Sequence, residues 1–306
     1  MSKIIEVKGL RKQYGEFEAV KGVDLDVYEG ELFGFLGPNG AGKSTTINIL
    51  CTMLNPTSGT ASIGGYDIVK ERPGVRKTIG IIFQDNTLDE KLTAKENLLL
   101  HCRFYKVPVQ ERMSRIDRVL EMVELSDRKN SFVGTFSGGM KRRLEIARGL
   151  LHYPKVLFLD EPTVGLDPQT RAHIWDYIIK LREEIGITIF LTTHYMDEAE
   201  NCNKIAIIDD GKIIAIDTPS ALKDSVGGDI IQISTDNNEK ARMELEEKYG
   251  KKVSEADGIL TFEVEKGNEF IVDFVKEAGY TIKSINVRRP TLNDVFLRLT
   301  GKQIRE

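Results

Sequence analysis

GPNGAGKST, residues Gly37 to Thr45, has the spacing Gly-x-x-x-x-Gly-Lys-Ser, and the reading of the whole chain turns on it. Gly37, Gly40 and Gly42 permit a backbone curl tight enough to aim successive N–H groups inward at an anion, a conformation that side chains would obstruct. Lys43 then reaches the terminal phosphates of a bound nucleotide. Ser44 starts a helix whose positive N-terminal end faces the same phosphates, and its hydroxyl is the expected protein ligand of a bridging magnesium ion. Upstream, Leu32 to Leu36 is an apolar run, as a fully buried parallel strand would be; downstream, Ile47, Leu50, Cys51 and Leu54 recur at helical spacing. Strand, loop and helix follow in the order a phosphate loop requires. An ordinary glycine turn is the weaker account of so specific a pattern.

The 306 residues leave room for a domain of about two hundred residues followed by a smaller one. With 41% hydrophobic and 29% charged residues the composition is that of a globular protein. No apolar run approaches the roughly 20 residues needed to cross a bilayer. The N-terminus, MSKIIEVKGLRKQYG, lacks the apolar core and cleavage site of a secretory signal, so the expectation is a cytosolic chain. A net charge of −4 argues against a nucleic-acid partner, for which a basic excess is usual. Cys51, Cys102 and Cys202 are scattered and lack zinc-site spacing, which makes them small buried hydrophobes.

Before the phosphate loop, Val23, Leu25 and Val27 alternate with Asp24 and Asp26 in the period of a half-buried sheet, which predicts an antiparallel subdomain. Tyr14 is the aromatic residue best placed there to stack on a planar base, although exposed strand tyrosines are common. After the first helix, a strand from Ile79 to Phe83 stops at Gln84. The Gln84 carbonyl could join a magnesium shell or simply start a loop. From about 88 to 151 the pattern turns helical, opening on the capping-box spacing Thr93-Ala-Lys-Glu96. Ser137, Gly138 and Gly139 then open a further helix, a second anion-ready N-terminus with a serine cap; an unremarkable helix start is the alternative. The basic triplet Lys141, Arg142 and Arg143 reads as a solvated face.

Val156 to Leu159 is a buried strand ending in Asp160 and Glu161, at the end where parallel sheets bind ligands. Neighbouring strand residues point opposite ways, so Asp160 can support magnesium while Glu161 turns toward an attacking water. Asp167-Pro168 caps another helix, and the next strand closes at Thr192, Thr193 and His194, where a neutral imidazole could hydrogen-bond phosphate or water. Asp210-Gly211 is a strong hairpin signal. Beyond about residue 229 the expected order is strand 229–235, helix 238–249, a strand pair around Asp257-Gly258, helix 268–278 and strand 281–288, with a helix after Pro290. That is the β-α-β-β-α-β order of a ferredoxin-like unit.

GPNGAGKST, Gln84, FSGGM, VLFLDEP, VGLD and TTHYMDEAE, in that order, resemble the nucleotide-binding subunit of an ABC transporter. The resemblance covers about Ile4 to Leu222. The usual LSGGQ is here FSGGM, with Ser137, Gly138 and Gly139 intact. The ending RRPTLNDVFLRLTG together with THYMDEAE is similar to the drug-resistance, ABC-2 type export branch. The resemblance implies an α/β fold: a P-loop NTPase core with a RecA-like mixed sheet, an antiparallel β subdomain and a helical insert (about 88–151) over residues 1–224, then a small α+β ferredoxin-like domain over 225–306. It implies ATP and Mg2+ as cofactors and ATP hydrolysis as the activity. Tyr14 would stack on adenine, and Gly37, Pro38, Asn39, Gly40, Ala41, Gly42, Lys43, Ser44 and Thr45 would form the phosphate loop. Ser44, Gln84 and Asp160 would serve the metal, Glu161 would polarise water, and His194 would touch the terminal phosphate.

Ser137, Gly138, Gly139 and Asp167 would complete the site of a second copy in a head-to-tail dimer. A separate integral membrane permease would hold the subunit at the inner face of the membrane, and the cargo would be exported. A soluble ABC ATPase acting on ribosomes or DNA, and an importer subunit, are the alternatives. The single phosphate loop, the absence of sustained heptads and the net charge count against the first, and the tail counts against the second.

Overall fold

The computed structural model describes residues 2–265 and 267–301. Contacts divide the chain into two compact units, one ending at Thr218 and the other beginning at Pro219.

The first unit opens with two long antiparallel strands, β1 (Lys3–Tyr14) and β2 (Phe17–Tyr28), and continues through β3 (Leu32–Leu36), α1 (Lys43–Leu50), β4 (Ser58–Ile63), β5 (Tyr66–Asp67), α2 (Arg72–Thr78) and β6 (Ile79–Ile82). The helical insert holds α3 (Ala94–Phe104), α4 (Val109–Met122) and α5 (Gly138–Leu150). Then come β7 (Val156–Asp160), α6 (Pro168–Ile185), β8 (Thr188–Thr193), α7 (Met196–Ala199), β9 (Lys204–Asp209) and β10 (Lys212–Asp217). The strands form an antiparallel sheet in the order β2-β1-β4-β5 and a six-stranded sheet in the order β10-β9-β3-β8-β7-β6. In the larger sheet β9, β3, β8, β7 and β6 run parallel and β10 returns antiparallel, so the sheet is mixed as expected.

Local chemistry accounts for several boundaries. Thr93 and Glu96 form the predicted capping box, with Thr93 N donating to Glu96 Oε2 at 2.8 Å and Glu96 N to Thr93 Oγ1 at 3.2 Å. Asp210 and Gly211, both at positive φ (46° and 73°), make the tight turn between β9 and β10. β3, β7 and β8 are buried at every position, one face of the sheet packing in a common core with α1 and the antiparallel sheet. Their core is aromatic: the Phe190 ring lies 5.3 Å from those of Phe33 and Phe158. Cys202 packs where a Cβ on Gly34 would meet its Sγ at 2.9 Å, consistent with its reading as a small hydrophobe.

The second unit runs α8 (Pro219–Val226), β11 (Asp229–Thr235), α9 (Asn238–Glu247), β12 (Ser254–Ala256), β13 (Ile259–Val264), α10 (Gly267–Glu277), β14 (Ile282–Arg288) and α11 (Leu292–Thr300). Its strands pair antiparallel in the order β12-β13-β11-β14, the arrangement of a ferredoxin-like sheet. Ile231, Ile233, Leu260, Phe262 and Phe274 form its core.

Candidate functional site

The parallel order brings four strand ends to one edge of the larger sheet. β3 leads into the glycine loop, β7 delivers Asp160 and Glu161, β8 delivers Thr192 to His194, and β6 runs toward Gln84. A cleft of about 650 Å³ at this edge is lined by Tyr14, Asn39, Gly40, Gly42, Lys43, Ser44, Thr45, Gln84, Glu161 and His194, together with Phe17, Ala19 and Val164.

The glycine loop is shaped by steric need. Gly40 and Gly42 hold φ values of 81° and 102°. A Cβ on Gly37 would lie 2.3 Å from the Ile208 carbonyl oxygen, and one on Gly42 would lie 2.6 Å from that of Ala19. Lys43, 4% exposed, donates from Nζ to the carbonyls of Gly37 (2.8 Å) and Pro38 (3.1 Å), with Glu161 Oε1 3.2 Å away. Burial draws the Lys43 pKa down, and Glu161 partly offsets this. An ammonium shared between two carbonyls and one carboxylate in a glycine loop can exchange these partners for a more highly charged anion.

Alternation along β7 separates Asp160 from Glu161 in the sequence, yet both carboxylates engage this loop. Glu161 has left the strand: its φ is 45°, and its N–H donates to Thr192 Oγ1 at 3.0 Å. This turn swings its carboxylate toward Lys43 and His194, whose Nδ1 is 3.3 Å from Glu161 Oε1 but outside hydrogen-bonding geometry. Asp160 accepts a 2.5 Å bond from Thr192 Oγ1 and a bond from Ser44. Burial raises its pKa, against the lowering effect of those two hydroxyls. Carboxylate, hydroxyl and the Gln84 amide are hard oxygen donors on one cleft, a set whose chemistry suits magnesium. Among the described residues no cluster of His, Cys, Asp and Glu makes a separate metal centre.

Ser137, Gly138, Gly139 and Asp167 lie outside this cleft. Ser137 caps α5, accepting from Met140 N at 3.3 Å, and with Gly139 lines a different depression of about 590 Å³ between α5 and α6. Asp167 caps α6 through Thr170 N at 3.0 Å and Thr170 Oγ1 at 2.6 Å. A Cβ on Gly139 would lie 2.5 Å from Thr170 Cγ2, so this glycine gives room to the neighbouring helix. Trp175 sits on α6, buried, with no hydrogen-bond partner for its indole N–H.

Arg142 corrects the solvated reading of the basic triplet. It is buried, and its guanidinium donates to the carbonyls of Pro162 (2.7 Å), Phe83 (2.5 Å) and Asp160 (3.2 Å) and to Glu145 Oε2 (3.0 Å). One side chain thus pins the strand ends that carry Gln84 and the two acids. Glu145 also accepts from Thr87 N at 2.9 Å, tying the segment after Gln84 to α5. Apart from Glu145, one turn along the same helix, every partner is distant along the chain, so the sequence carries little local sign of this. Phe17 and Ala19 also escaped the sequence reading and enter the cleft from β2.

Fold and site together define a phosphate-loop nucleotide hydrolase with a helical insert. The comparisons with known proteins narrow the class. The family description "ABC transporter" matches residues 20–164, and "ATP-binding protein DrrA1-3-like, C-terminal domain" matches 218–300. The chain is 40% identical over 303 residues to the daunorubicin resistance ATP-binding protein DrrA3 of Streptomyces coeruleorubidus, covering 97% of this chain and 96% of that protein. It is 36% identical over 316 residues, covering 100% of both chains, to Nod factor export ATP-binding protein I of Cupriavidus metallidurans. A dimeric, post-hydrolysis structure of the ATP-binding cassette MJ0796 bound to ADP and Pi superimposes with a TM-score of 0.63 at 32% identity, covering 70% of this chain and 98% of that one. The chain belongs to the ABC transporter ATP-binding proteins, in the drug-resistance, export-type branch, and its activity is ATP hydrolysis.

Proposed function

We propose that this ATPase closes head to tail on a second copy around two ATP molecules, and that hydrolysis reopens the pair to drive export through a separate membrane permease. The observation that carries this reading is the division of polar groups into two surfaces. One cleft holds Lys43, Ser44, Glu161 and His194, with Asp160 behind it accepting from Ser44, while Ser137 to Gly139 and Asp167 lie outside its lining on helix starts. A partner's helix start is what the open side of the cleft accepts.

Within the cleft, Tyr14 offers its ring to adenine, and residues Gly37 to Thr45 wrap the phosphates with backbone N–H groups. Lys43 gives up its carbonyl partners for the terminal phosphates. Ser44, Gln84 and Asp160 would hold Mg2+, which neutralises charge on the terminal phosphates when bound. Glu161 accepts the proton of the attacking water, and its placement 3.2 Å from Lys43 fixes where that water is polarised. His194, beside the same carboxylate, contacts the terminal phosphate. The permease would seat on the apolar groove of about 570 Å³ formed by Met53, Phe83, Phe104 and Tyr105, rimmed by Arg76 and Lys106. Among the described residues no helix is long and apolar enough to cross a membrane, in keeping with a subunit that needs that partner to stay at the inner membrane face. The relatives' names, daunorubicin resistance and Nod factor export, favour export of a drug, lipid or polysaccharide over import.

Glu161→Gln tests the assignment, since it keeps the shape and removes the proton acceptor. Phosphate release is expected to fall by about 10²- to 10⁴-fold, with ATP binding retained and an ATP-bound dimer accumulating on gel filtration. Unchanged hydrolysis would rule out Glu161 as the base.

A further inference from the structure

We infer that Glu198 is a positioning residue for ATP hydrolysis, a buried carboxylate brace that holds the Glu161 turn and the His194 strand end in one fixed relation. The inference rests on the roles proposed above for Glu161 and His194. Glu198 lies on α7 and is only 2% exposed. Its Oε1 accepts from Thr163 Oγ1, two residues beyond Glu161, and its Oε2 accepts from Thr193 Oγ1 at 2.6 Å, immediately before His194. Both threonines are buried. The Arg171 guanidinium, on α6, reaches Glu198 Oε1 at 3.3 Å and Asp197 Oδ2 at 3.4 Å, and lies 3.9 Å from the centre of the Tyr195 ring.

Packing alone does not account for this carboxylate. An apolar side chain of similar volume would fill the space without the cost of taking a charge out of water, and buried ion pairs are on average poor stabilisers. What the charge supplies is geometry, through short, directional, charge-assisted bonds to two separate segments. Those segments need it. Glu161 sits in a left-handed conformation that a β-strand does not continue, and His194 lies just past the last residue of β8. Their 3.3 Å separation is set where the paired strands β7 and β8 end, and past those ends side-chain links through Thr192 and Glu198 tie the two segments together. Displacements well under an ångström at reacting groups cost rate, so a brace acting on both ends at once shows in turnover. Through Arg171 the same brace reaches the helix that Asp167 caps.

The test compares full-length Glu198→Ala, Glu198→Gln and Thr193→Val with the unaltered protein and with Glu161→Gln. It measures steady-state ATP turnover, binding of a fluorescent ATP analogue, and Tm. Glu198→Ala should lower kcat by about 10- to 100-fold while analogue affinity and KM stay within about twofold. Glu198→Gln, which accepts from one threonine and donates to the other, should recover turnover to within about threefold of the unaltered protein. Thr193→Val keeps the shape and should lose about five- to tenfold in kcat, which carries the test should Glu198→Ala fail to fold. Unaltered kcat in Glu198→Ala or Thr193→Val overturns the brace. Equal losses in the Gln and Ala variants that follow Tm also overturn it. Unaltered turnover in Glu161→Gln would instead overturn the site reading, and the brace with it.

Discussion

The phosphate loop and the Ser137 helix start use the same ingredients, glycines ahead of a helix, for opposite purposes. In the loop, glycine supplies conformation: Gly40 and Gly42 hold φ values closed to ordinary side chains, and their neighbours enclose Lys43. At the second start, Gly138 and Gly139 are ordinary helical residues of α5, and Gly139 supplies room for Thr170. The electrostatics differ likewise. Lys43 and Glu161 in the cleft, and Asp160 behind it, are below 8% exposure, whereas Ser137 and Asp167 are exposed and cap their own helices. A site rich in buried, mutually compensating charge is organised before its ligand arrives. An exposed cap has its geometry ready and needs a second surface to give it a use.

The sharpest way to break this contrast is Ser137→Arg. It should leave ATP binding by one subunit unchanged and abolish ATP-driven dimerisation; sedimentation of an otherwise hydrolysis-deficient chain checks it, and a normal dimer would end the two-surface account. Gly42→Ala should act the other way, within a single subunit. Its Cβ meets the Ala19 carbonyl at a positive φ, so nucleotide binding should be lost, with a cost of about 1–3 kcal/mol in chemical denaturation.

A smaller effect compares the two aspartates. Asp160 has its pKa raised by burial, so its ionised form weakens the fold as pH rises from the ordinary carboxylate range through the raised value. Asp160→Asn should therefore raise the Tm of the nucleotide-free protein at neutral pH, with the gain vanishing toward acid, even as hydrolysis is lost. Asp167 has its pKa lowered by the Thr170 hydroxyl and backbone N–H, so its contribution is present above the ordinary carboxylate range and fades as pH falls through the lowered value. Asp167→Asn should move Tm slightly downward at neutral pH. Melting curves of both variants from pH 3 to 8 separate the signs.

What could be read from the sequence follows from the range of each interaction. GPNGAGKST, the Thr93 capping box, the Asp210-Gly211 turn and the ferredoxin-like order of the tail are local or periodic, and the structure builds each of them. Arg142 was misread because helical periodicity describes one helix alone. The strand ends that bury it lie 18 to 59 positions away in sequence. The rule of alternation failed at Glu161 for a related reason: it applies while the strand lasts, and the strand stops one residue earlier. Thr192 was visible only as the end of an apolar run, and its double link to Asp160 and the Glu161 amide depends on β7 and β8 being neighbours.

The chain has a single tryptophan, and it lies on the helix whose N-terminus carries Asp167. Trp175 is buried with an unpaired indole N–H. Burial predicts blue-shifted emission, and as the sole tryptophan it places that signal on α6. A change around that helix during a cycle of ATP binding and release should alter the colour and quenching of one chromophore, giving an optical readout of the helix that Asp167 caps with no dye attached.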